Sequence, residues 1–414
     1  MKQTKLAIRT SAVTDTPKRP AIKSLMALAV LGAFAATASA QDGLPITISG
    51  FGTAAVTRTN TDQAEFSRVS QAAGAGKDLR TGVDSDFGVQ ATAKYSDNLS
   101  FTAQGLVVKR GEHDAYTGHL AWAFAKYKIN DDFSVRLGRI AAPIYMISDV
   151  RNVGYANTML RPPTEVYAQV PMDSIDGGDI LYQHGFGDST VSAQLAAGTT
   201  KNKSPGTTAN IGTVAAQVTL ENGPFTYRLA HSQANVSIHN GQLDQLVGAV
   251  KAAGLGVSDQ LDLIDFKGTF TAAGLIMDYK NILAQTEYAR RKTDTRLVPD
   301  TTSWYVMLGY RVGKFVPYYL HGDVKQDSIR SFASLPTSGP LAGLSAGLNG
   351  AIKTGEQSSN AIGVRWDFYK SAALKVQIDR LSPRNGSSGT LINVKPGYDG
   401  KDVTVYAAAI DFVF

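Results

Sequence analysis

Apolar and polar residues alternate with a period of two along most of this chain. In the last segment Tyr406, Ala408, Ile410, Phe412 and Phe414 share one face of an extended strand, with Asp411 on the other. A helix cannot gather that set on one side. The same alternation between turn signals predicts strands at 46–58, 84–95, 99–109, 116–129, 133–140, 178–186, 189–199 and 211–221. In the second half it predicts 224–235, 264–279, 281–292, 301–312, 314–325, 357–369, 372–381 and 401–414. Segments of about ten residues are long enough to cross a bilayer as tilted strands.

The connections are sorted as well. Tight turns follow the even strands, at Ser96-Asp97-Asn98, Asn130-Asp131-Asp132, Gly187-Asp188, Asn222-Gly223, Lys280-Asn281, Gly313-Lys314 and Lys370-Ser371. Longer loops, several rich in Gly, Ser, Thr and Asn, are expected after every odd strand. An even strand count with short turns on one rim and long loops on the other is how bacterial outer-membrane barrels are built. Aromatic residues gather beside the tight turns, at Tyr95, Tyr127, Phe133, Phe186, Phe225, Tyr279, Tyr310, Phe315, Phe368, Phe412 and Phe414, as an interfacial girdle requires. The predicted fold class is therefore all-β, a transmembrane antiparallel β-barrel of sixteen strands with short periplasmic turns and long external loops. Such a sheet must close first strand on last, because hydrocarbon offers no partner to a free edge. Sixteen strands enclose an aqueous channel, whereas eight fill their own interior.

The amino terminus agrees with that location. Lys18, Arg19 and Lys23 precede an apolar run from Leu25 to Ala36 and a small-x-small motif, Ala38-Ser39-Ala40. This is the pattern of a cleaved signal peptide over 1–40. The run is shorter than the roughly 20 residues of a spanning helix. Removing 1–40 takes away six Lys or Arg and one acid, so the formal charge of +6 falls to +1. Nucleic-acid binding loses its support, since it needs gathered positive charge. With no cysteine, disulfides and thiolate metal sites are excluded. Nothing in 41–414 marks a linker, so it reads as a single barrel domain.

The connection from Ala141 to Gly177 is long, and apolar, aromatic or rigid at Pro143-Ile144-Tyr145-Met146, Tyr155, Met159-Leu160, Pro162-Pro163 and Tyr167. A loop of that composition is expected to pack rather than to be solvated, and the barrel interior is the place for it. It carries Asp149, Glu165, Asp173 and Asp176 against Arg151 and Arg161. Inward residues follow from outward apolar ones. Val135 and Leu137 outward place Arg136 inside, and Tyr227 and Leu229 do the same for Arg228. Val364, Trp366 and Phe368 place Arg365 and Asp367 inside, and Leu374, Val376 and Ile378 place Lys375 inside. Asp411 is lumen-facing by the terminal alternation. Glu287 and Lys325 are also assigned inward, while strands 116–129 and 264–279 have no readable parity. An acidic loop opposite basic wall residues would set a transverse field across the narrowest point.

On these features the chain resembles the Gram-negative general porin family over nearly all of 41–414. The resemblance rests on the strand count, the alternating connections, the long third loop, the Arg136-Leu137-Gly138-Arg139 run leading into it and the Phe-terminated last strand. The Pro-Glu-Phe-Gly sequence of enteric porins is missing from this third loop. The resemblance implies a barrel whose third loop, 141–177, folds into the lumen as a constriction, and passive diffusion of small hydrophilic solutes and ions through it. Constriction candidates are Arg136, Arg139, Asp149, Arg151, Arg161, Glu165, Asp173, Asp176, Arg228, Arg365, Asp367 and Lys375. It also implies a homotrimer in the lipid bilayer, and recognition of Tyr406, Ile410, Phe412 and Phe414 by the barrel-assembly machinery. No enzyme activity, cofactor or metal is expected.

Two alternatives remain in view, an anion-preferring specific channel and an outer-membrane hydrolase. Gly343-Leu344-Ser345-Ala346-Gly347 matches the nucleophile-elbow pattern but lacks the strand and helix around it that the elbow needs. Glu112-His113-Asp114 with His119 fits no standard ligand spacing. Leu243, Leu246, Val247 and Val250 predict a short amphipathic helix within 240–254, packed over the barrel mouth.

Overall fold

The computed structural model describes residues 44–414, together with the backbone of a short strand, Ala36–Ala38, that pairs with Ile46–Ile48. The predicted signal peptide otherwise lies outside the described residues. Sixteen antiparallel strands follow. They are β1 Ile46–Thr59, β2 Asp86–Lys94, β3 Leu99–Lys109, β4 Tyr116–Lys128, β5 Phe133–Ala141, β6 Ser174–Phe186, β7 Ser189–Ser204 and β8 Thr207–Asn222. The others are β9 Phe225–His239, β10 Phe266–Tyr279, β11 Ile282–Thr293, β12 Thr301–Tyr310, β13 Phe315–Gln326, β14 Gln357–Tyr369, β15 Ala372–Pro383 and β16 Val403–Val413.

Each strand pairs with the next, and β16 closes on β1 with Val405 opposite Thr59 and Val413 opposite Phe51. The closure continues to the last residue. Gly50 donates its N–H to the Phe414 carbonyl at 2.8 Å, and Phe414 donates to the Gly50 carbonyl at 3.0 Å. Gly50 has no side chain because the Phe414 ring occupies that space, with ring atoms 2.2 Å from where a Cβ would stand. Phe414 in turn stacks on Phe87 at 6.3 Å between centroids. The terminal aromatic therefore covers the seam from outside.

The outer surface is the apolar one. Ile180, Leu195, Val214, Val218, Leu229, Leu308, Ile362 and Val376 are all exposed, as a lipid-facing belt must be. Tyr95, Tyr127, Phe133, Phe186, Tyr279, Tyr310, Phe315 and Phe414 are exposed beside the tight turns. Among the described residues no helix is long and apolar enough to cross a membrane.

Three local features depart from the sequence expectation. Strands β7 and β8 extend as one hairpin through Pro205-Gly206, so the connection after the seventh strand is a tight turn and not a long loop. Pro205 presets its own φ and Gly206 accepts +65°. The polar stretch Thr199–Ser204 is strand above the membrane, where polar side chains are at home. Strand β4 contains a bulge. Gln104 opposes Trp122 and Gly105 opposes Leu120, leaving Ala121 unopposed. Outward positions are consequently Tyr116, Gly118 and Leu120 above it but Ala123, Ala125 and Tyr127 below it. Finally, Lys325 shares the outer face of Tyr319 and is exposed, whereas Glu287 faces inward and is buried.

Two external assemblies cover the rim. The loop 60–85 packs Ala64, Phe66, Ala75 and Val83 against Leu381, Leu391, Val403 and Val405, and Glu65 and Ile392 exchange backbone hydrogen bonds at 2.9 Å. On the other side the loops 240–265, 294–300 and 327–356 share a second core around Val250, Leu261, Leu297, Phe332, Leu348 and Ile352.

Candidate functional site: the lumen and its infolded loop

The third connection, residues 142–173, turns into the barrel. It contains two short 3-10 turns, Ser148–Val150 and Gly154–Ala156, and one helical turn, α1 Thr164–Tyr167. Its apolar side chains explain the route. Tyr145, Met146, Met159, Val166, Tyr167 and Met172 are buried against Phe270, Ala272, Ala289, Tyr305, Met307 and Leu320 of the wall. Val153 and Tyr155 pack on Phe51, Leu106, Val108, Ala373 and Val413. Val150 packs against both clusters, so the loop crosses the lumen from one wall to the other. Burying these side chains at ~1.5–3 kcal/mol each offsets the ordering of a long segment.

Charged anchors fix its position. Arg161 donates from Nε and Nη2 to the two oxygens of Asp84, at 2.9 and 2.8 Å, and from Nη1 to Asp379 at 2.9 Å. Its guanidinium also lies over the Phe66 ring at 4.8 Å. Lys375 donates to the carbonyls of Gly154 and Met159 at 2.7 and 3.1 Å and pairs with Asp411 at 2.8 Å. Thr53 donates to the other Asp411 oxygen at 2.6 Å, so this group, on the inner face as its alternation predicted, is fully buried. Arg365 donates to the carbonyls of Tyr155 and Asn157, both at 2.8 Å, and pairs with Asp367 at 2.9 Å. Glu287 accepts from the Met146 N–H at 2.9 Å and the Tyr167 hydroxyl at 2.5 Å. Gln357 donates to Glu165 at 2.6 Å.

The remaining sequence candidates divide. Arg151 pairs with Asp173 at 2.7 Å, and Arg110, which the sequence reading did not single out, pairs with the same carboxylate. Burial raises the Asp173 pKa, but Arg151 and Arg110 outweigh it and hold the group at about 2. Arg228 donates to the Tyr145 carbonyl at 3.2 Å and lies 3.6 Å from Asp149, whose side chain is 45% exposed. Arg136 forks onto Asp179 and stacks over Phe124 at 5.1 Å. Arg139 and Asp176 are a correction. They pair at 2.7 Å on the outer face, because Arg139 lies two residues beyond outward Leu137 and opposite outward Ala123.

The expected acidic loop facing a basic wall is thus mostly a set of closed pairs. Arg161, Glu165, Arg151, Arg365 and Lys375 are buried. Asp84, Asp379 and Glu287 complete the set. Asp379 was legible, since outward Ile378 puts it inside, and outward Tyr288 does the same for Glu287. Elsewhere, Gly343–Gly347 lies within helix α3 Ala342–Ala351 and not at a strand-to-helix turn. The Ser345 hydroxyl is buried and, among the described residues, makes no hydrogen bond. Asp114 is engaged by Arg80 and by Lys109 at 3.2 Å. The predicted external helix is α2 Gly241–Ala252, capped by the Asn240 side chain, which accepts from the Gln242 and Leu243 N–H groups at 3.1 Å.

A closed sixteen-strand barrel with a lipid-facing exterior and a loop folded through its lumen defines an outer-membrane channel protein. The family model for Gram-negative porins matches residues 27–386, and the chain belongs to that family. It is an outer-membrane porin, a channel for passive diffusion of small hydrophilic solutes and ions. Among solved structures it is similar to an anion-selective porin from Comamonas acidovorans, at 13% identity and TM-score 0.54, covering 89% of this chain and 99% of that one. A Salmonella typhi OmpF structure in complex with daunomycin gives 15% identity and TM-score 0.54 over 91% and 99%. Outer-membrane expressed OmpT of Vibrio cholerae gives 12% and 0.53 over 91% and 100%. No match was found among curated protein sequences.

Proposed function

We propose that this porin is a general diffusion channel of weak charge preference, without covalent chemistry, narrowed by its third loop at the Asp149–Arg228 pair. The observation that supports this most is the pairing itself. Arg136, Arg228, Arg311 and Arg365 each lie within 4 Å of a lumen carboxylate, so the lining presents dipoles rather than a run of one sign. Closed pairs have short-range fields, which salt screens further. A general pore conducts in proportion to voltage and shows no saturable block by any one solute.

The alternative is an anion-preferring channel, the property named for the Comamonas acidovorans porin. The zero-current potential in a salt gradient distinguishes them: near zero for the general reading, clearly displaced toward the chloride value for the other. Arg228→Gln, which removes one unit charge, should then move the potential toward the cation value. About fivefold in permeability ratio is expected, from ~1 kcal/mol for a unit charge at 4 Å in water. No shift would remove Arg228 from the constriction. Arg365, although inward, holds loop carbonyls, so its reversal should unfasten the loop rather than tune selectivity.

The functional unit in this reading is a homotrimer. An OmpT structure from Vibrio cholerae is described as a trimer form. The terminal strand, with Tyr406, Ile410, Phe412 and Phe414 outward, serves the barrel-assembly machinery during insertion as well as closure.

A further inference from the structure

The tight turns on the periplasmic rim divide by charge. Those after β2, β4 and β6 carry Asp97, Asp131, Asp132 and Asp188 and no base, whereas those after β10, β12 and β14 carry Lys280, Lys314 and Lys370 and no acid. The basic set is unanswered. Lys280, Lys314 and Lys370 are exposed, and none has a carboxylate within 4.0 Å among the described residues. The two acids beside them are taken, Asp278 by Arg311 at 2.7 Å and Asp367 by Arg365 at 2.9 Å. The basic turns also adjoin. Arg311 donates its N–H to the Asn281 carbonyl at 2.7 Å and Asp367 donates to the Lys314 carbonyl at 2.9 Å, so the three lysines follow one another along the rim.

Next to this row the lipid-facing wall holds a trough of about 660 Å³ across β12–β15. Register sets out its shape. Pro317, Val364 and Val376 lie opposite one another as a floor of short side chains, with Tyr319, Ile362 and Ile378 as the ridge above it. The stacked rings of Phe315 and Trp366, 5.7 Å apart, stand on the side of the turns. Three inter-strand spacings of ~4.8 Å make the trough about 14 Å long, and strand tilt makes it slope. Its low end is at β12, where Tyr310 is the last strand residue, and its high end is inside β15 at Val376 and Ile378. The basic turns meet the low end. Lys314 directly precedes Phe315, and the Lys280 ammonium lies over the outward Tyr279 ring at 5.1 Å, on the lipid side of the rim. Trough and lysines therefore share the periplasmic half of the membrane, one at acyl depth and the other at headgroup depth.

We propose that this sector binds an anionic phospholipid of the periplasmic leaflet, with an acyl chain in the β12–β15 trough and the phosphate between Lys280 and Lys314. Apolar burial holds the chain, and two unpaired ammonium groups within the aromatic belt supply the headgroup site. Charge decides the class of lipid. A zwitterionic headgroup brings no net charge to answer the lysines, and the acidic turns under β2–β7 repel an anionic one from the other side of the rim. The site does not depend on what passes through the lumen, and the subunit contacts of the trimer fall on other sectors of the wall.

Native mass spectrometry of the whole porin in neutral detergent tests it, with dimyristoyl phosphatidylglycerol, dimyristoyl phosphatidylcholine and inorganic phosphate as probes. Phosphatidylglycerol should bind about tenfold more tightly than phosphatidylcholine. Lys280→Asn with Lys314→Gln should abolish that preference. The fold should survive, because Lys280 stands at φ +54°, which asparagine accepts. Val364→Trp, which fills the floor of the trough, should weaken both lipids alike. Arg290→Gln on the far rim, beyond a Debye length, should change the preference by less than about twofold. Equal binding of both lipids, a preference that survives the lysine substitutions, or displacement of the lipid by equimolar inorganic phosphate would each overturn the proposal. So would a second copy of the chain in the trough, which oxidation of an Ile362→Cys variant in bilayers would report as a disulfide-linked dimer, the chain having no other cysteine.

Discussion

Arg161→Ala should lower the stability of the folded barrel by about 3–5 kcal/mol, the cost of removing one partner from a buried charge set. The substitution leaves Asp84 and Asp379 facing each other without their cation, and both are buried. The loss should show as a lower temperature of conversion to the unfolded form in detergent. Because Arg161 ties the infolded loop both to Asp84 in the first external loop and to β15, the same variant should give noisier and larger channel currents. Arg161→Lys keeps the charge but loses the two-pronged contact with Asp84, so its effect should fall between. An Arg161→Ala barrel as stable and as quiet as the wild type would show that the loop is held by its apolar side chains alone.

Lys375→Ala is the second large effect, again about 3–5 kcal/mol. Lys375 is fully buried and serves two loop carbonyls and Asp411 at once. Asp411 sits on the closing strand, so an uncompensated charge there weakens the seam as well as the loop. Replacing both partners, Lys375→Met with Asp411→Leu, should recover most of the stability, since no charge is then stranded. Heat denaturation of the three barrels separates the outcomes, and a double variant as weak as the single one would argue against this account.

The barrel was legible because lipid outside and packed loop or water inside impose period two on nearly every strand. Where reading failed, a specific cause is visible. In β4 the unopposed Ala121 shifts the pattern by one residue, so neither half of the strand predicts the other. In β10 the inward residues Phe270, Ala272 and Ile276 are as apolar as the outward ones, because the infolded loop packs on them. In β7 and β8 the polar continuation past Thr199 resembles a loop, yet the strands pair to Ser204 and Thr207. The site was legible as a list of inward charges but not as pairs. Arg161 meets Asp84 and Asp379 across large sequence separations that alternation cannot convey. Arg139, at the end of its strand, takes the outer face with Asp176 by the same parity rule that sends Arg136 inside.

The most direct test of the central claim is single-channel recording of the purified porin in a planar bilayer. The structure and family membership predict stepwise openings with current proportional to voltage and unsaturated by rising salt. Insertion without conductance, or release of fatty acid from the bilayer lipid in the absence of any current, would contradict it.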